Sequence, residues 1–393
     1  MITVEEAYHK ILSELPSLGV ERRFLTDITS YQCTEKIVSD RDYPPFNRAM
    51  MDGITLSFEA YLSEQKKFFI EGVIKAGEES IPLKDQRHCF EIMTGAPVPE
   101  NCDLVIPYEH LDLCDGSAVL KNSKVYSKGE NIHLHGSDCK KRDEVLKANL
   151  SLNGPHVGIA ASMGYEKIEV KRKPKILIIS TGNELVEISQ VPKNFQIRRS
   201  NVYALKATLE LNHFFDITLH HVNDDIDEIK NHLDTHYSSF DIFFYSGGVS
   251  KGKFDFLPII FETYKINKIF HEISQRPGKP MWFGVKDQKA FFGLPGNPIS
   301  SLICLTRYFI PHKKVYAKLA EDITFKKELT YFCPVQIQCL ETGQWLALPK
   351  EMKNSGEFTA LAETSGFIEL PKEKTFFKKG ECYPFFPWKS FLC

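Results

Sequence analysis

The apolar and polar positions of this chain predict a wound α/β sheet in its middle part. Between residues 171 and 321, apolar runs alternate with helical patterns of about 10 to 15 residues. Such alternation favours βαβ units and a parallel sheet that helices cover on both faces. The predicted strands are 176–179, 217–222, 241–245 and 290–294, and the predicted helices are about 201–211, 225–237 and 255–265, with one more helix after the last strand.

The first part of the chain follows a different pattern. Residues 1–20 predict one amphipathic helix that begins with a capping box of Thr3 and Glu6. Residues 22–149 carry short β-favouring runs between turns rich in Gly, Pro and Asp, and a helix of small residues is expected at 151–165. The expected apolar stripe of the first helix is Val4, Ala7, Tyr8, Ile11, Leu12 and Leu15.

The last part of the chain loses the helical pattern. After about residue 322, the runs LTYFCPVQIQCL, QWLALPK, GFIELP and CYPFF predict the strands of a small β-barrel or sandwich. A chain of 393 residues is too long for one hydrophobic core, so the three patterns indicate a multidomain protein.

Composition and charge narrow the class of protein. Hydrophobic residues make up 42% of the chain and charged residues 25%, as in soluble globular proteins. The net charge of −2 predicts no nucleic-acid partner, so an anion site must be local. Ten cysteines without a C-x-x-C pair predict reduced thiols and a cytoplasmic location. No window of about 20 apolar residues exists, so no membrane span is expected.

Two pairs of histidines stand out in the middle part. His232 and His236 are four residues apart on a predicted helix, and His220 and His221 are adjacent. Because no cysteine or acid accompanies them at metal-ligand spacing, the pattern favours ordinary surface or core histidines over a zinc site.

Glycine-containing turns follow three of the predicted strands: STGNEL, SGGVSKG and GLPGNP. The carboxyl ends of parallel strands meet at one edge of the sheet, where such folds bind ligands. Glycine lets the backbone approach an anion, and the helix that follows presents free N–H groups. We expect Asn297 to cap the last helix and Pro298 to occupy its first position. The turn residues predicted to bind substrate are Thr181, Gly182, Ser246, Gly247, Gly248, Ser250, Gly296 and Asn297.

Acidic residues accompany these turns. Glu184, Asp224 and Asp255 would repel a phosphate unless a divalent cation lay between them, and Mg²⁺ is the natural candidate. Arg276 and Lys279, on either side of the Pro277-Gly278 turn, supply positive charge suited to an oxyanion or phosphate.

Several long motifs together resemble one known family. TGNEL, SGGVSKGKFD, RPGKP and GLPGNP, in this order, resemble the molybdenum cofactor biosynthesis domain. PPFNRAMMDG, EIMTGAPVPENCDLVIPYE and GENIHLHGSD resemble the N-terminal half of the molybdopterin molybdenumtransferase family, called MoeA in bacteria and the gephyrin E domain in animals. FTALAETSGFIELP resembles the C-terminal barrel of that family. The resemblance spans nearly the whole chain.

The resemblance implies a fold and an activity. The fold class is α/β plus β: a central doubly wound α/β domain, β-rich N-terminal modules and a C-terminal β-barrel. The activity is insertion of molybdate into adenylylated molybdopterin, with Mg²⁺-assisted release of AMP. The implied domains are an N-terminal helix (1–21) packing with the α/β domain, an elongated linker domain (22–45 and 141–170), an inserted β-rich domain (46–140), the α/β domain (171–321) and the barrel (322–393).

The resemblance also implies site residues and partners. Family members are homodimers whose cleft is shared between subunits, and molybdopterin adenylyltransferase and molybdoenzyme-maturation proteins are candidate partners. From the N-terminal side, Asp52, Thr94 and Asp138 are expected to line the cleft. From the α/β side the expected residues are Glu184, Asp224, Asp255, Arg276, Gly278, Lys279, Pro295 and Pro298, with Ser355 from the C-terminal domain. The expected catalytic residues are Asp52, Glu184, Asp224 and Asp255, of which the last three are expected to bind Mg²⁺.

Some positions depart from the family pattern. His133 and His135 stand where arginines are usual, which predicts a weaker or pH-dependent anion contact. Asn223 replaces an arginine, and Glu272 stands where a lysine is frequent, with Lys251 nearby. Two alternative functions stay open from the sequence: adenylyl transfer to molybdopterin, and a catalytically inactive, gephyrin-like scaffold.

Overall fold

Helices and strands are described for residues 1–63, 65–121, 124–249, 255–312, 315–352 and 354–389 of the computed structural model. The helices are α1 (Val4–Glu14), α2 (Phe58–Leu62), α3 (Gly154–Ser162), α4 (Ser200–Leu211), α5 (Ile226–His236), α6 (Leu257–Thr263) and α7 (Pro298–Tyr308). The strands of the first part are β1 (Val20–Phe24), β2 (Ile37–Val38), β3 (Arg48–Ala49), β4 (Gly53–Leu56), β5 (Lys67–Ile74), β6 (His88–Ile92), β7 (Leu104–Pro107), β8 (Leu111–Cys114), β9 (Ser117–Leu120), β10 (Ile132–His133), β11 (Glu144–Leu146) and β12 (Lys167–Lys171). Those that follow are β13 (Ile176–Thr181), β14 (Leu185–Val186), β15 (Ile197–Arg198), β16 (Ile217–Val222), β17 (Ile242–Ser246), β18 (Asn267–His271), β19 (Gln275–Arg276), β20 (Trp282–Lys286), β21 (Lys289–Leu294), β22 (Val315–Leu319), β23 (Ile323–Thr324), β24 (Thr330–Cys339), β25 (Trp345–Pro349), β26 (Gly366–Leu370), β27 (Phe376–Phe377) and β28 (Cys382–Pro387).

Two units are formed by the chain: one is Glu21–Val170, and the other combines Met1–Val20 with Lys171–Cys393. The finer division into the five predicted ranges stays a prediction. In the described ranges, no helix has the length and apolar content needed to cross a membrane.

The larger unit contains the predicted wound sheet. Its strand order is β16-β13-β17-β21-β20-β18, and the first four strands are parallel. Helices α1, α4 and α7 pack on the face that carries Ile176 and Ile178, and helices α5 and α6 pack on the face that carries Leu177 and Ile179. Every residue of β13 and β17 is buried, as expected of central parallel strands. The predicted doubly wound α/β domain is therefore confirmed.

The apolar pattern predicts β21 but not β20, its antiparallel neighbour, nor β18, which pairs antiparallel with β20. Strands β20 and β21 are joined by Asp287 and Gln288, whose φ angles are 48° and 58°. Two left-handed residues make a hairpin turn that is usually signalled by Asn-Gly or Asp-Gly. Because Asp-Gln is a weaker signal, the hairpin was hidden in the sequence.

The capping box of α1 is confirmed, but the helix is shorter than predicted. The Thr3 side chain accepts from the backbone N–H of Glu6, and the Glu6 carboxylate accepts from the backbone N–H of Thr3. The helix ends at Glu14, because Pro16 disfavours the helical conformation of Leu15. Leu12, placed in the predicted apolar stripe, is 51% exposed.

The Glu21–Val170 unit is rich in strands, as predicted. Its main sheet has the order β7-β4-β6-β5-β9-β8. The pairs β3–β10 and β2–β11 add two small antiparallel ribbons. Helix α3 is shorter than the predicted range 151–165, because Asn153 caps its start and Met163 ends it.

The C-terminal part of the larger unit is a closed barrel. Strands β24, β25, β22, β28 and β26 pair in that order, and a β24–β26 pairing closes the ring. Strand β19 joins the barrel by parallel pairing with β24. Since β19 contains Arg276, this pairing fixes the R-P-G-K-P turn beside the barrel.

Candidate active site

The three glycine turns meet at one edge of the wound sheet. They follow β13, β17 and β21, which are adjacent parallel strands, and they line a pocket of about 720 Å³. The predicted site residues in this pocket are Thr181, Glu184, Asp224, Ser246, Gly247, Gly248, Asp255, Pro295, Gly296, Asn297 and Pro298. Ser250 and Lys251 lie outside the described residues. The turns thus converge as the strand order requires.

Gly247 and Gly248 need to be glycines for two reasons. Their φ angles are 105° and 67°, a region that residues with a Cβ rarely adopt. A Cβ on Gly247 would also lie 2.9 Å from the hydroxyl oxygen of Thr181 and 3.0 Å from its carbonyl oxygen. That hydroxyl is buried without a hydrogen-bond partner. An unsatisfied buried hydroxyl beside two glycines is a ready donor for a ligand oxygen.

Gly182 makes room for the carboxylate of Glu184. Gly182 has a φ of 143°, and a Cβ there would lie 2.6 Å from Oε2 of Glu184. The carboxylate therefore folds back over the turn that carries it and lies at the pocket. Gly182 acts on the site by allowing this position of Glu184.

The pocket shifts the ionisation of Asp224. Burial raises the pKa of Asp224, and the nearby charges of Glu184 and Asp255 raise it further. A backbone hydrogen bond with Asn183 lowers this pKa, but the net shift is upward. The backbone N–H of Asp224 donates to the Asn183 side chain at 3.1 Å. Three acids that repel one another in one pocket are suited to a cation.

The acids do not form a complete metal cage by themselves. In the described part of the chain, Glu184, Asp224 and Asp255 are not a group whose carboxylate oxygens all lie within 4.8 Å of one another. Mg²⁺ commonly binds through one or two carboxylates and completes its shell with phosphate oxygens and water. The donor set therefore fits Mg²⁺ that is bound together with a phosphate-bearing substrate.

The first pocket is called the acidic pocket here, because Glu184, Asp224 and Asp255 line it. A second pocket, of about 670 Å³, adjoins it and is basic. Both pockets include Pro280, Pro295 and Asn297 in their walls. Among the described residues, those lining the second pocket include four basic side chains and no acid. The basic residues are Arg276, Lys279, Lys326 and Lys327. Gly278 and Ser355, both predicted as site residues, also line it.

The basic turn is held by a buried glutamine. The Nε2 of Gln275 donates to the carbonyls of Pro277 and Gly278 at 3.0 and 3.2 Å, and the hydroxyl of Tyr308 donates to the Gln275 side chain. A Cβ on Gly278, whose φ is 92°, would lie 2.6 Å from this Nε2. The shape of the turn is therefore fixed from inside the domain.

The contacts of Asn297 and Glu272 refine two predictions made from the sequence. Asn297 occupies the N-cap position of α7 and Pro298 the first turn, but the Asn297 side chain makes no capping bond. It donates instead to the hydroxyl of Ser355 at 2.8 Å, which joins the last glycine turn to the segment before the final strands. Glu272, which departs from the family pattern, lies 3.9 Å from the Nζ of Lys279.

Several pocket residues were not identified from the sequence. Asn201 donates to the hydroxyl of Ser246 at 3.0 Å and to the carbonyl of Gly296 at 2.6 Å, so it ties two glycine turns together. Arg198 and Arg199 also line the acidic pocket. The signal was R-R-S-N immediately before a predicted helix, where basic side chains reach the same strand edge.

In the Glu21–Val170 unit, Asp52 and Thr94 form a contact of their own. One carboxylate oxygen of Asp52 accepts from the Thr94 backbone N–H at 2.6 Å and from its hydroxyl at 2.7 Å. These bonds lower the pKa of Asp52, the backbone bond most strongly. Asp52 is therefore held ionised in a fixed orientation.

Asp138 belongs to a neighbouring polar chain in that unit. Its carboxylate lies 2.6 Å from Nε2 of His133, and Nδ1 of His133 lies 3.1 Å from a guanidinium nitrogen of Arg48. His135 lies 3.7 Å from a carboxylate oxygen of Asp42. Both replacement histidines thus face acids. The predicted meeting of Asp52, Thr94 and Asp138 with the α/β residues stays a prediction.

Family models match three consecutive parts of the chain, and the one that covers the wound sheet with its paired pockets gives the class of this domain. Residues 177–314 match the family model described as a probable molybdopterin binding domain. Residues 2–164 match the MoeA N-terminal region, domains I and II, and residues 316–388 match the MoeA C-terminal region, domain IV.

Similar proteins cover the whole chain. A molybdopterin molybdenumtransferase of Synechocystis sp. is 43% identical over 390 residues, covering 99% of this chain and 100% of that protein. One from Staphylococcus aureus is 28% identical, covering 96% of this chain and 94% of that protein. A crystal structure of a molybdopterin biosynthesis MoeA protein from Pyrococcus horikosii matches with a TM-score of 0.80 at 27% identity, covering 100% of both chains. The chain belongs to the MoeA family of molybdopterin molybdenumtransferases.

Proposed function

We propose that this chain inserts molybdenum from molybdate into adenylylated molybdopterin, with Mg²⁺ on the phosphates and release of AMP. The general part rests on family membership: the chain is an enzyme of molybdenum cofactor biosynthesis that inserts molybdenum. The adenylylated form of the substrate, the Mg²⁺ ion and the residue roles are the specific part of the proposal.

The observation that carries the proposal is the pair of adjoining pockets of opposite charge. The acidic pocket offers carboxylates for a cation on a phosphoanhydride, and the basic pocket offers Arg276 and Lys279 to an oxyanion such as molybdate. Pro295 and Asn297 belong to both pockets, so two ligands bound there would lie next to each other. Proximity of this kind is a large part of catalysis.

Each group of residues has a distinct role in the proposal. Glu184, Asp224 and Asp255 would hold Mg²⁺, which when bound supplies positive charge to the phosphate oxygens. The turn of Gly247 and Gly248 brings backbone and the free Thr181 hydroxyl close to the substrate phosphates. Release of AMP needs a water oxygen to form a new P–O bond as the phosphoanhydride P–O bond breaks, which leaves a phosphomonoester on the pterin. These donors would stabilise the negative charge that develops on the phosphate oxygens.

The remaining parts of the proposal concern assembly. We place the protein in the cytoplasm as a homodimer, in which Asp52, Thr94 and Asp138 complete the cleft from the partner subunit. Molybdopterin adenylyltransferase, which would supply the substrate, and molybdoenzyme-maturation proteins, which would receive the product, are the proposed partners.

The experiment is an AMP-release assay with purified protein and adenylylated molybdopterin, with and without molybdate and Mg²⁺. Release that needs both ions is the expected result. Consumption of ATP with free molybdopterin would instead support an adenylyltransferase. Tight binding of the substrate without AMP release under any condition would support a scaffold.

Asp224→Asn is expected to stabilise the Mg²⁺-free protein at neutral pH. The folded-state pKa of Asp224 is raised, so its ionisation above that pKa costs folding free energy, and this cost is absent below the unfolded-state pKa. The variant should therefore melt about 1 to 3 °C higher than wild type at pH 7.5, with the difference disappearing as the pH falls below about 4.

Thermal melts with and without Mg²⁺ check this prediction. Added Mg²⁺ should stabilise the wild type more than Asp224→Asn. Asp225→Asn is the matched control, because Asp225 is the exposed N-cap of α5 and asparagine also caps helices. A lower melting temperature for Asp224→Asn than for wild type without Mg²⁺ would contradict the raised pKa of Asp224 in the folded protein.

Lys279→Met is expected to raise the KM for molybdate about tenfold, since a charge-assisted contact to an oxyanion contributes about 1.5 to 3 kcal/mol. The affinity for adenylylated molybdopterin should change less, because its phosphates are assigned to the other pocket. Steady-state AMP release with molybdate and adenylylated molybdopterin varied in turn measures both KM values. Lys372→Met, at an exposed lysine outside the pockets, is the control. An unchanged KM for molybdate would remove Lys279 from the oxyanion site.

A further inference from the structure

Three histidines converge on the outer side of the α/β domain. His220, His232 and His236 each offer a ring nitrogen, and these three atoms lie within 4.8 Å of one another. Nδ1 of His220 is 2.7 Å from Nε2 of His232, and the ring centroids are 4.5 to 5.0 Å apart. All three residues are half-buried. Among the described residues this is the one group of three or more potential metal ligands at such distances.

The fold supplies the ligand that the sequence pattern lacks. His232 and His236 are one helical turn apart on α5, so their side chains share a face. His220 is on β16, in register with Ile179 of β13, and Ile179 belongs to the core that includes Ile229 and Leu233 of α5. His220 therefore points toward α5. Spacing along the helix alone gave only two ligands and favoured ordinary histidines.

This cluster is separate from the proposed catalytic pockets. None of the three histidines lines either pocket. Asp224 precedes the start of α5, whereas His232 and His236 are in its last turns. The neighbouring His221 faces the other way and lies 3.0 Å from the hydroxyl of Ser180. The proposed chemistry makes no use of the cluster.

The surroundings favour neutral rings, which keep the lone pairs that a metal needs. Burial, followed by the charges of His236 and His220, lowers the pKa of His232 to about 4, although Glu228 opposes this. Burial, His236 and Arg199 lower the pKa of His220. Around neutral pH these two rings are therefore available as ligands.

We propose that His220, His232 and His236 form a binding site for a Zn²⁺ ion. Zinc accepts three histidines at about 2.0 to 2.1 Å in a tetrahedral arrangement, which places ligand nitrogens roughly 3.4 Å apart. The His220–His232 separation of 2.7 Å is shorter than this value, and all three nitrogens lie within 4.8 Å of one another, so side-chain rotations suffice to bind the ion. The imidazole–imidazole contact of His220 and His232 is replaced by two metal bonds. The fourth position is left to water or to a small exogenous ligand.

The bound ion cross-links α5 to β16. It joins the last turns of the helix to the edge strand of the sheet, so it favours the folded state by mass action. The expected consequence is a melting temperature that rises with Zn²⁺ concentration.

The test uses full-length protein freed of metal with a chelator and then kept in excess Mg²⁺, which competes with Zn²⁺ for exposed carboxylates. Calorimetric titration with Zn²⁺ should give one tight equivalent per chain. Co²⁺ in its place should give the visible absorption bands of tetrahedral nitrogen ligation. The double variant His232→Gln/His236→Gln should weaken Zn²⁺ at least 100-fold and lose the Co²⁺ bands. His9→Gln, at an exposed histidine of α1, should change neither.

Two results would overturn the proposal. One is that the wild-type protein binds no Zn²⁺ in the presence of excess Mg²⁺ and shows only octahedral bands with Co²⁺. The other is an unchanged Zn²⁺ equivalent in the double variant, which would place the ion at the carboxylates or at cysteines. The wild-type Co²⁺ spectrum decides the question even if the double variant does not fold. Neither readout depends on molybdenum insertion, so the inference stands or falls independently of the proposed function.

Discussion

Asp255→Asn is expected to slow AMP release by at least about 100-fold, comparable to losing one preorganised electrostatic group at a reacting centre. Asp255 lines the acidic pocket, and its charge is felt by Asp224. Asparagine keeps the size of the side chain and removes the charge that holds Mg²⁺. The same change relieves repulsion, so the pKa of Asp224 should fall and the acidic limb of the rate profile should shift to lower pH.

The measurement is single-turnover AMP release over a range of Mg²⁺ concentrations and pH. Part of the loss should be recovered at high Mg²⁺, because two acids of the pocket remain. Glu262→Gln is the matched control, since it removes a carboxylate from the exposed side of α6, the helix that follows Asp255. If Asp255→Asn and Glu262→Gln had equal rates, the metal assignment would fail.

Gly247→Ala is expected to weaken binding of adenylylated molybdopterin by at least about tenfold and to destabilise the α/β domain by about 1 to 3 kcal/mol. Alanine must adopt a φ of 105°, and its Cβ meets two oxygens of Thr181 at 2.9 and 3.0 Å. The turn and β13 therefore have to separate, which moves the Thr181 hydroxyl away from its position beside the turn.

Gly343→Ala separates the effect of backbone strain from the effect of the Cβ collision. Gly343 has a φ of 75° in an exposed turn of the barrel, and nothing lies within 4 Å of the position of its Cβ. This control carries the backbone strain without the collision, so it should lower the melting temperature slightly and leave substrate binding unchanged. Substrate affinity that is equal in Gly247→Ala and wild type would show that this turn does not contact the ligand.

The sequence was most informative where one local rule decides the structure. Buried strands that end in glycine turns had to meet at one edge, because neighbouring parallel strands point the same way, and Thr181, Gly247 and Gly296 do so. The capping box of Thr3 and Glu6 formed because its interactions span three residues. Patterns of this kind need no knowledge of the tertiary structure.

The sequence was least informative where a side chain forms its contacts with segments that are distant in the sequence. Asn297 was expected to cap α7, but Ser355 offers its side chain a competing hydrogen bond. Asn201 joins two turns from the start of α4, and both of its partners come from turns that are distant in the sequence. The histidine cluster needs His220 from a strand as well as the helical pair. Each of these contacts exists only after the sheet has formed.

The central claim is that AMP release and molybdenum insertion are one coupled reaction. The most direct test is to incubate the protein with adenylylated molybdopterin, molybdate and Mg²⁺, and to measure AMP and pterin-bound molybdenum in the same samples over time. Our account predicts one molybdenum per AMP throughout the reaction, with neither product formed when Mg²⁺ is removed. AMP that accumulates without pterin-bound molybdenum would contradict it.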